Sequence, residues 1–139
     1  MIKKWSKITI EDCCLKVTSG GTPSRSQKKY YQNGTIPWVK TGELKDSKVY
    51  PDEVEEWITE EAIKNSSAKI FPKNTILMAM YGDGKTIGSL GILVEPSASN
   101  QACSALIHNP KVCDPAFLLY AMMLQLDNGG RYRVARSKN

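Results

Sequence analysis

Four stretches of small and polar residues cut this chain into apolar runs too short for long helices, and that punctuation limits what it can fold into. They read Gly20-Gly21-Thr22-Pro23-Ser24, Ile36-Pro37-Trp38-Val39-Lys40-Thr41-Gly42, Tyr81-Gly82-Asp83-Gly84-Lys85-Thr86-Ile87-Gly88 and Ser99-Asn100-Gln101-Ala102-Cys103. Each combines the backbone freedom of Gly or the restriction of Pro with hydroxyl, amide or cationic side chains. Between them the apolar segments are strand-sized. Thr75 to Tyr81 is apolar on both alternating faces, which predicts a central strand buried on both sides.

The remaining elements follow from caps and patterning. Thr9-Ile10-Glu11-Asp12 has the capping-box form with Asp in place of Glu, which predicts a short helix to about Val17. Ile36 to Lys40 reads as a strand, with Pro37 arguing for an edge or entry position. Thr59 is an N-cap, with Glu60 and Glu61 in the first turn of a helix to Asn65. Ile87 to Val94 and Ala105 to His108 read as further strands. Asp114-Pro115 opens a helix that Asn128-Gly129-Gly130 closes. Phe117 to Leu124 is apolar nearly all round, so that helix is either deeply buried or half-covered by a partner. Several short strands with two or three helices define a mixed α+β fold, and 139 residues suffice for one domain.

Net charge is +5, but its distribution says more than its total. Six of the fourteen acids fall between Pro51 and Glu61 (Asp52, Glu53, Glu55, Glu56, Glu60 and Glu61), a stretch with no Lys or Arg. The rest of the chain carries nineteen bases against eight acids, a surplus of eleven. A basic body suits a polyanion, and the acidic stretch is expected to face away from it. No apolar run is long enough to span a bilayer, and Met1 to Lys7 does not lead into a signal-type segment, so a cytoplasmic protein is expected.

Catalytic signatures are incomplete. Gly84-Lys85-Thr86 resembles the end of a P-loop, but Ala79 stands where the first Gly is required, and the turn leads into a strand. Glu43-Leu44-Lys45 is an E-x-K without the preceding Pro-Asp that a metal nuclease uses. The four cysteines form no C-x-x-C pair. Cys103, His108 and Cys113 match no zinc spacing, so reduced structural thiols are expected.

In order, the segments resemble the target recognition domain of type I restriction–modification specificity subunits. The elements are Gly20-Gly21-Thr22-Pro23-Ser24, Tyr30-Tyr31, Ile36 to Leu44, Ile58-Thr59, Ser66 to Pro72, Thr75-Ile76-Leu77, Tyr81-Gly82, Ile87-Gly88 and Asn100-Gln101-Ala102. Any one of these occurs widely; the ordered set, spanning about Trp5 to Arg136, is what is specific. The resemblance implies a small, strongly twisted mixed sheet or partial barrel that reads double-stranded DNA without catalysis of its own. It implies modification (methyltransferase) and restriction subunits, or a second recognition domain, as partners. S-adenosylmethionine and ATP would belong to those partners, so no cofactor and no metal is expected here. It also implies a single recognition domain over 1–139, lacking the long spacer helices of a full specificity subunit.

Physical chemistry picks the DNA-facing candidates. Arg25 can fork onto guanine or a phosphate, and Gln27, Asn100 and Gln101 suit adenine edges. Thr22, Ser24, Lys40, Thr41, Lys85 and Thr86 suit phosphate and sugar. Arg131 beside Tyr132 could follow a backbone, and Tyr81 divides between core and contact. The glycines are expected to serve turns and close packing, Trp38 to anchor the core, and Asn100 and Gln101 could instead satisfy backbone. The alternative function is a protein-interaction module that docks or competes for methyltransferase subunits. A nuclease or phosphotransferase using Glu43 or Lys85 stands a distant third.

Overall fold

The computed structural model describes residues 9–82, 84 and 86–127. Its strands are β1 (Cys14–Ser19), β2 (Ile36–Val39), β3 (Ser47–Val49), β4 (Glu56–Ile58), β5 (Ile76–Ala79), β6 (Leu90–Leu93), β7 (Ala98–Ser99) and β8 (Cys103–His108). Its α-helices are α1 (Glu60–Lys64) and α2 (Pro115–Asp127), with one 3-10 turn before β1 and three more between β1 and β4 among the described residues. One sheet has five strands in the order β1-β8-β5-β6-β3, and the other has three in the order β4-β2-β7. Both are mixed, because β3 runs parallel to β6 and β7 parallel to β2. Among the described residues neither sheet closes into a barrel, so the α+β expectation holds in its open form.

The two-faced apolar strands explain the layering. On β5, Leu77 and Ala79 join Val39 of β2 in a core between the sheets, while Ile76 and Met78 pack under Leu118, Leu119 and Met122 of α2. On β2, Val39 faces that inter-sheet core, while Ile36 and Trp38 meet Ile58 and Ala62 in a third cluster beneath α1. The order through the molecule is therefore α2, large sheet, small sheet, α1. Alternation buries both faces of a strand only when covering layers lie on each side.

Several local expectations hold and others give way to pairing. Thr59 caps α1, its hydroxyl accepting from Ala62 N at 3.1 Å, and Asp114 accepts from Ala116 N at 2.8 Å at the start of α2. The Thr9–Asp12 capping box forms, with both reciprocal bonds at 3.1 Å. It nucleates only one 3-10 turn, Glu11–Cys13, and the chain then becomes β1 instead of a helix to Val17. Pairing with β8 from Lys16 to Ser19 satisfies that backbone more completely than a frayed helix could. Pro37 is not on an edge, since β2 is the middle strand of its sheet. Pairing with β7 begins only at Trp38, so the missing N–H falls before the parallel ladder. Asn128-Gly129-Gly130 lies outside the described residues. No helix among the described residues is long and apolar enough to cross a membrane.

Candidate nucleic-acid interface

The polar loops meet because the strands that carry them end together. β1 ends with Ser19 opposite Ser104, β5 ends with Ala79 opposite Cys103, and β2 and β7 end side by side at Val39 and Ser99. Backbone bonds join the loops: Gly20 N donates to Cys103 O at 3.3 Å and Gly21 N to Ser99 O at 2.9 Å. Asn100 N donates to Val39 O at 3.1 Å, and Met80 N to Ala102 O at 2.7 Å. The segments after β1, β2, β5 and β7 thus form one rim across both sheets. Close approach is what the Gly pair provides. A Cβ on Gly20 would stand 2.1 Å from Ser99 O, and one on Gly21 2.3 Å from Ser67 Oγ.

Ten of the twelve candidates lie among the described residues, and Lys85 and Arg131 lie outside them. Thr22 donates its hydroxyl to Gln101 Oε1, joining the first and last loops. Ser24 is exposed and shares a 2.8 Å contact with Ser26 Oγ. Gln27 presents an exposed side chain, its backbone held between Ser24 and Tyr30. Asn100 satisfies backbone, its Oδ1 accepting from Ala102 N at 3.2 Å, while Gln101 is exposed. Thr41 is half-buried at the start of a 3-10 turn, and Thr86 is half-buried in the turn that returns to Ala79. Tyr81, nearly even between core and contact from sequence, stands 66% exposed beside this rim. Trp38 is the expected core anchor at 2% exposure.

Arg25 and Lys40 carry the unexpected geometry. The Arg25 guanidinium grips Glu56 with both terminal nitrogens, Nη1 to Oε2 at 2.6 Å and Nη2 to Oε1 at 2.9 Å. It lies 4.5 Å from the Tyr31 ring centroid and 4.9 Å from that of Trp38. Tyr31 is itself fixed, edge-on to Trp38 and donating its hydroxyl to Pro23 O at 2.5 Å. Lys40 Nζ bridges Glu55 at 2.8 Å and Glu56 at 2.7 Å. Fork bonding from Arg25, aided by Lys40, holds the Glu56 carboxyl down at about 2, against an ordinary 4.5. Two residues of the acidic stretch, Glu55 and Glu56, therefore lie against the basic side chains of the loops. The antiparallel pairing of β2 with β4 sets Trp38 opposite Glu56, which brings its carboxylates onto the same rim.

The catalytic alternatives find other uses. Both Glu43 oxygens accept backbone amides, from Lys40 N at 2.9 Å and Glu55 N at 2.8 Å, so this carboxylate ties the rim to β4. The four cysteines are free thiols. Cys103 lies in the inter-sheet core, where burial pushes its thiol up to about 12, while Cys113 packs beneath α2. Among the described residues no group of His, Cys, Asp or Glu could hold a metal ion.

The scaffold is an open two-sheet α+β fold with its polar loops gathered on one rim. The chain belongs to the type I restriction modification DNA specificity domain family, whose model matches residues 2–136. It is 35% identical over 95 residues to the type I restriction enzyme EcoR124I/EcoR124II specificity subunit of Escherichia coli, covering 67% of this chain and 23% of that protein. It is 36% identical over 106 residues to the MjaIX specificity subunit of Methanocaldococcus jannaschii, covering 76% and 23%. The fold is similar to that of the HsdS subunit from Thermoanaerobacter tengcongensis, with a TM-score of 0.61 at 16% identity over 84% of this chain and 26% of that one. The chain thus spans about a quarter of the length of the relatives it matches.

Proposed function

We propose that this chain is a sequence-specific reader of double-stranded DNA that directs a type I restriction–modification complex to one half of a split target. Membership of the DNA specificity domain family over residues 2–136 carries the reading. The gathered rim supports it, since exposed Ser24, Arg25, Gln27, Tyr81 and Gln101 offer donors, acceptors and an aromatic face on one surface. Residues 1–139 act as one recognition unit, with chemistry supplied by modification and restriction subunits. Such a reader works in the cytoplasm, where its DNA is.

One observation favours a second reading, a docking surface for partner subunits. On α2, Phe117, Tyr120 and Leu124 are exposed at 63%, 67% and 61%, an apolar face at helical spacing. The two readings use different surfaces and are tested together. Purified chain is incubated with a randomised duplex pool at low and near-physiological salt, and the recovered sequences are read. Enrichment of a short motif is the expected result. Salt-sensitive capture without enrichment would overturn the sequence reader and leave a basic surface, and no capture at either salt would favour docking.

A further inference from the structure

We infer, resting on the DNA-reading function, that Arg25 reads the edge of a guanine base rather than a phosphate, and that Glu56, Tyr31 and Trp38 are its positioning residues. Charge decides against phosphate. Arg25 and Lys40 are matched by Glu55 and Glu56 within 2.6 to 2.9 Å, so the quartet is neutral and offers a phosphate no net attraction. A base edge carries dipoles and no net charge, so it needs no net charge from the site. Guanine offers two acceptors, O6 and N7, spaced for one guanidinium fork.

Geometry supplies the rest. Glu56 occupies the two terminal nitrogens from one side, which among the described residues leaves the Nε edge of the guanidinium uncommitted. That edge, Nε–H with the adjacent outer Nη–H, is a second fork of the same spacing. The two aromatic rings hold the plane against the small sheet, while the side chain stays 55% exposed. Lost rotamer freedom is thereby spent before DNA arrives. Arginine alone fits this arrangement, because a lysine ammonium cannot serve Glu56 and a base with two planar forks.

The test repeats the duplex selection with Arg25→Ala, Arg25→Lys and Glu56→Gln, each checked for a cooperative thermal transition well above the binding temperature. The native chain is expected to enrich a motif containing a guanine. Arg25→Ala and Arg25→Lys should lose about 5- to 150-fold of the preference at that one position, with the others kept. Glu56→Gln should lower discrimination there while raising affinity for unrelated duplex, a pair of changes that a merely structural role would not produce. An unaltered motif in Arg25→Ala would overturn the inference and leave the reader standing. Uniform weakening with a salt slope shallower by about one would also overturn it, marking a phosphate contact. Absence of any motif from the native chain would instead remove the reading on which the inference rests.

Discussion

The indole nitrogen of Trp38 donates to the carbonyl of Gly21 across 3.0 Å, pinning the first polar loop to the middle strand of the small sheet. Trp38 is 2% exposed, so this carbonyl has no ready substitute partner in water. Trp38→Phe keeps an aromatic ring but removes the donor. It should cost about 1–3 kcal/mol, the penalty of an unsatisfied buried group, read as a lowered urea midpoint with an unchanged slope.

Two glycines of the polar loops should respond oppositely to one added methyl group. At Gly20 a Cβ meets the backbone oxygens of Ser99 at 2.1 Å and Asn100 at 2.4 Å, neither of which can rotate aside. At Gly42 it meets nothing within 4 Å. Gly20→Ala should destabilise by about 1–3 kcal/mol or more. Gly42→Ala should stay within about 0.5 kcal/mol. Paired denaturation curves of the two variants check this.

Acid should release the charge quartet. The Glu56 carboxyl titrates at about 2 in the folded chain against an ordinary 4.5. Its folded value is the lower one, so the stabilisation is complete above about 4.5 and is lost as pH falls from there towards 2. Arg25 is more than half exposed, which screens the pair to about 1 kcal/mol. The melting temperature of the native chain should fall relative to Glu56→Gln across that window, and the two curves should run parallel above pH 5.

The faces of α2 should separate stability from docking. Leu118 is 1% exposed beneath the helix, and Leu118→Ala should cost about 2–5 kcal/mol. Phe117, at 63% exposure, should tolerate Ser within about 0.5 kcal/mol. If α2 docks a methyltransferase subunit, Phe117→Ser should still reduce co-purification with it. Unaltered co-purification would assign that face no partner role.

Strands buried on both faces and helices with strong caps were legible from local sequence. β5, β2 and the starts of α1 and α2 carry their own signals in apolar runs, Thr59 and Asp114. β3, β4 and β7 carry none, being two or three residues long and defined by partners far along the chain. The same distance hid the quartet. Glu56 lies 31 residues from Arg25, inside a stretch whose composition suggested segregation of charge. Trp57-Ile58 is a β-forming pair, but two residues are too few to mark a strand until pairing with β2 is known. Tyr31, noted only as part of a family pattern, proves to be the surface on which Arg25 lies.

The loop after β7 belongs to both sheets, because Ser99 ends the small one and Cys103 opens β8 of the large one four residues later. Its anchors, Ser99 and Cys103, are wholly buried, while Gln101 between them is exposed. Arg25 and Gln27 likewise project from a segment tethered at Gly20 and Gly21. Under the proposed reading, a substitution at an exposed position such as Gln27 alters what this surface recognises while the buried anchors of the loops stay in place.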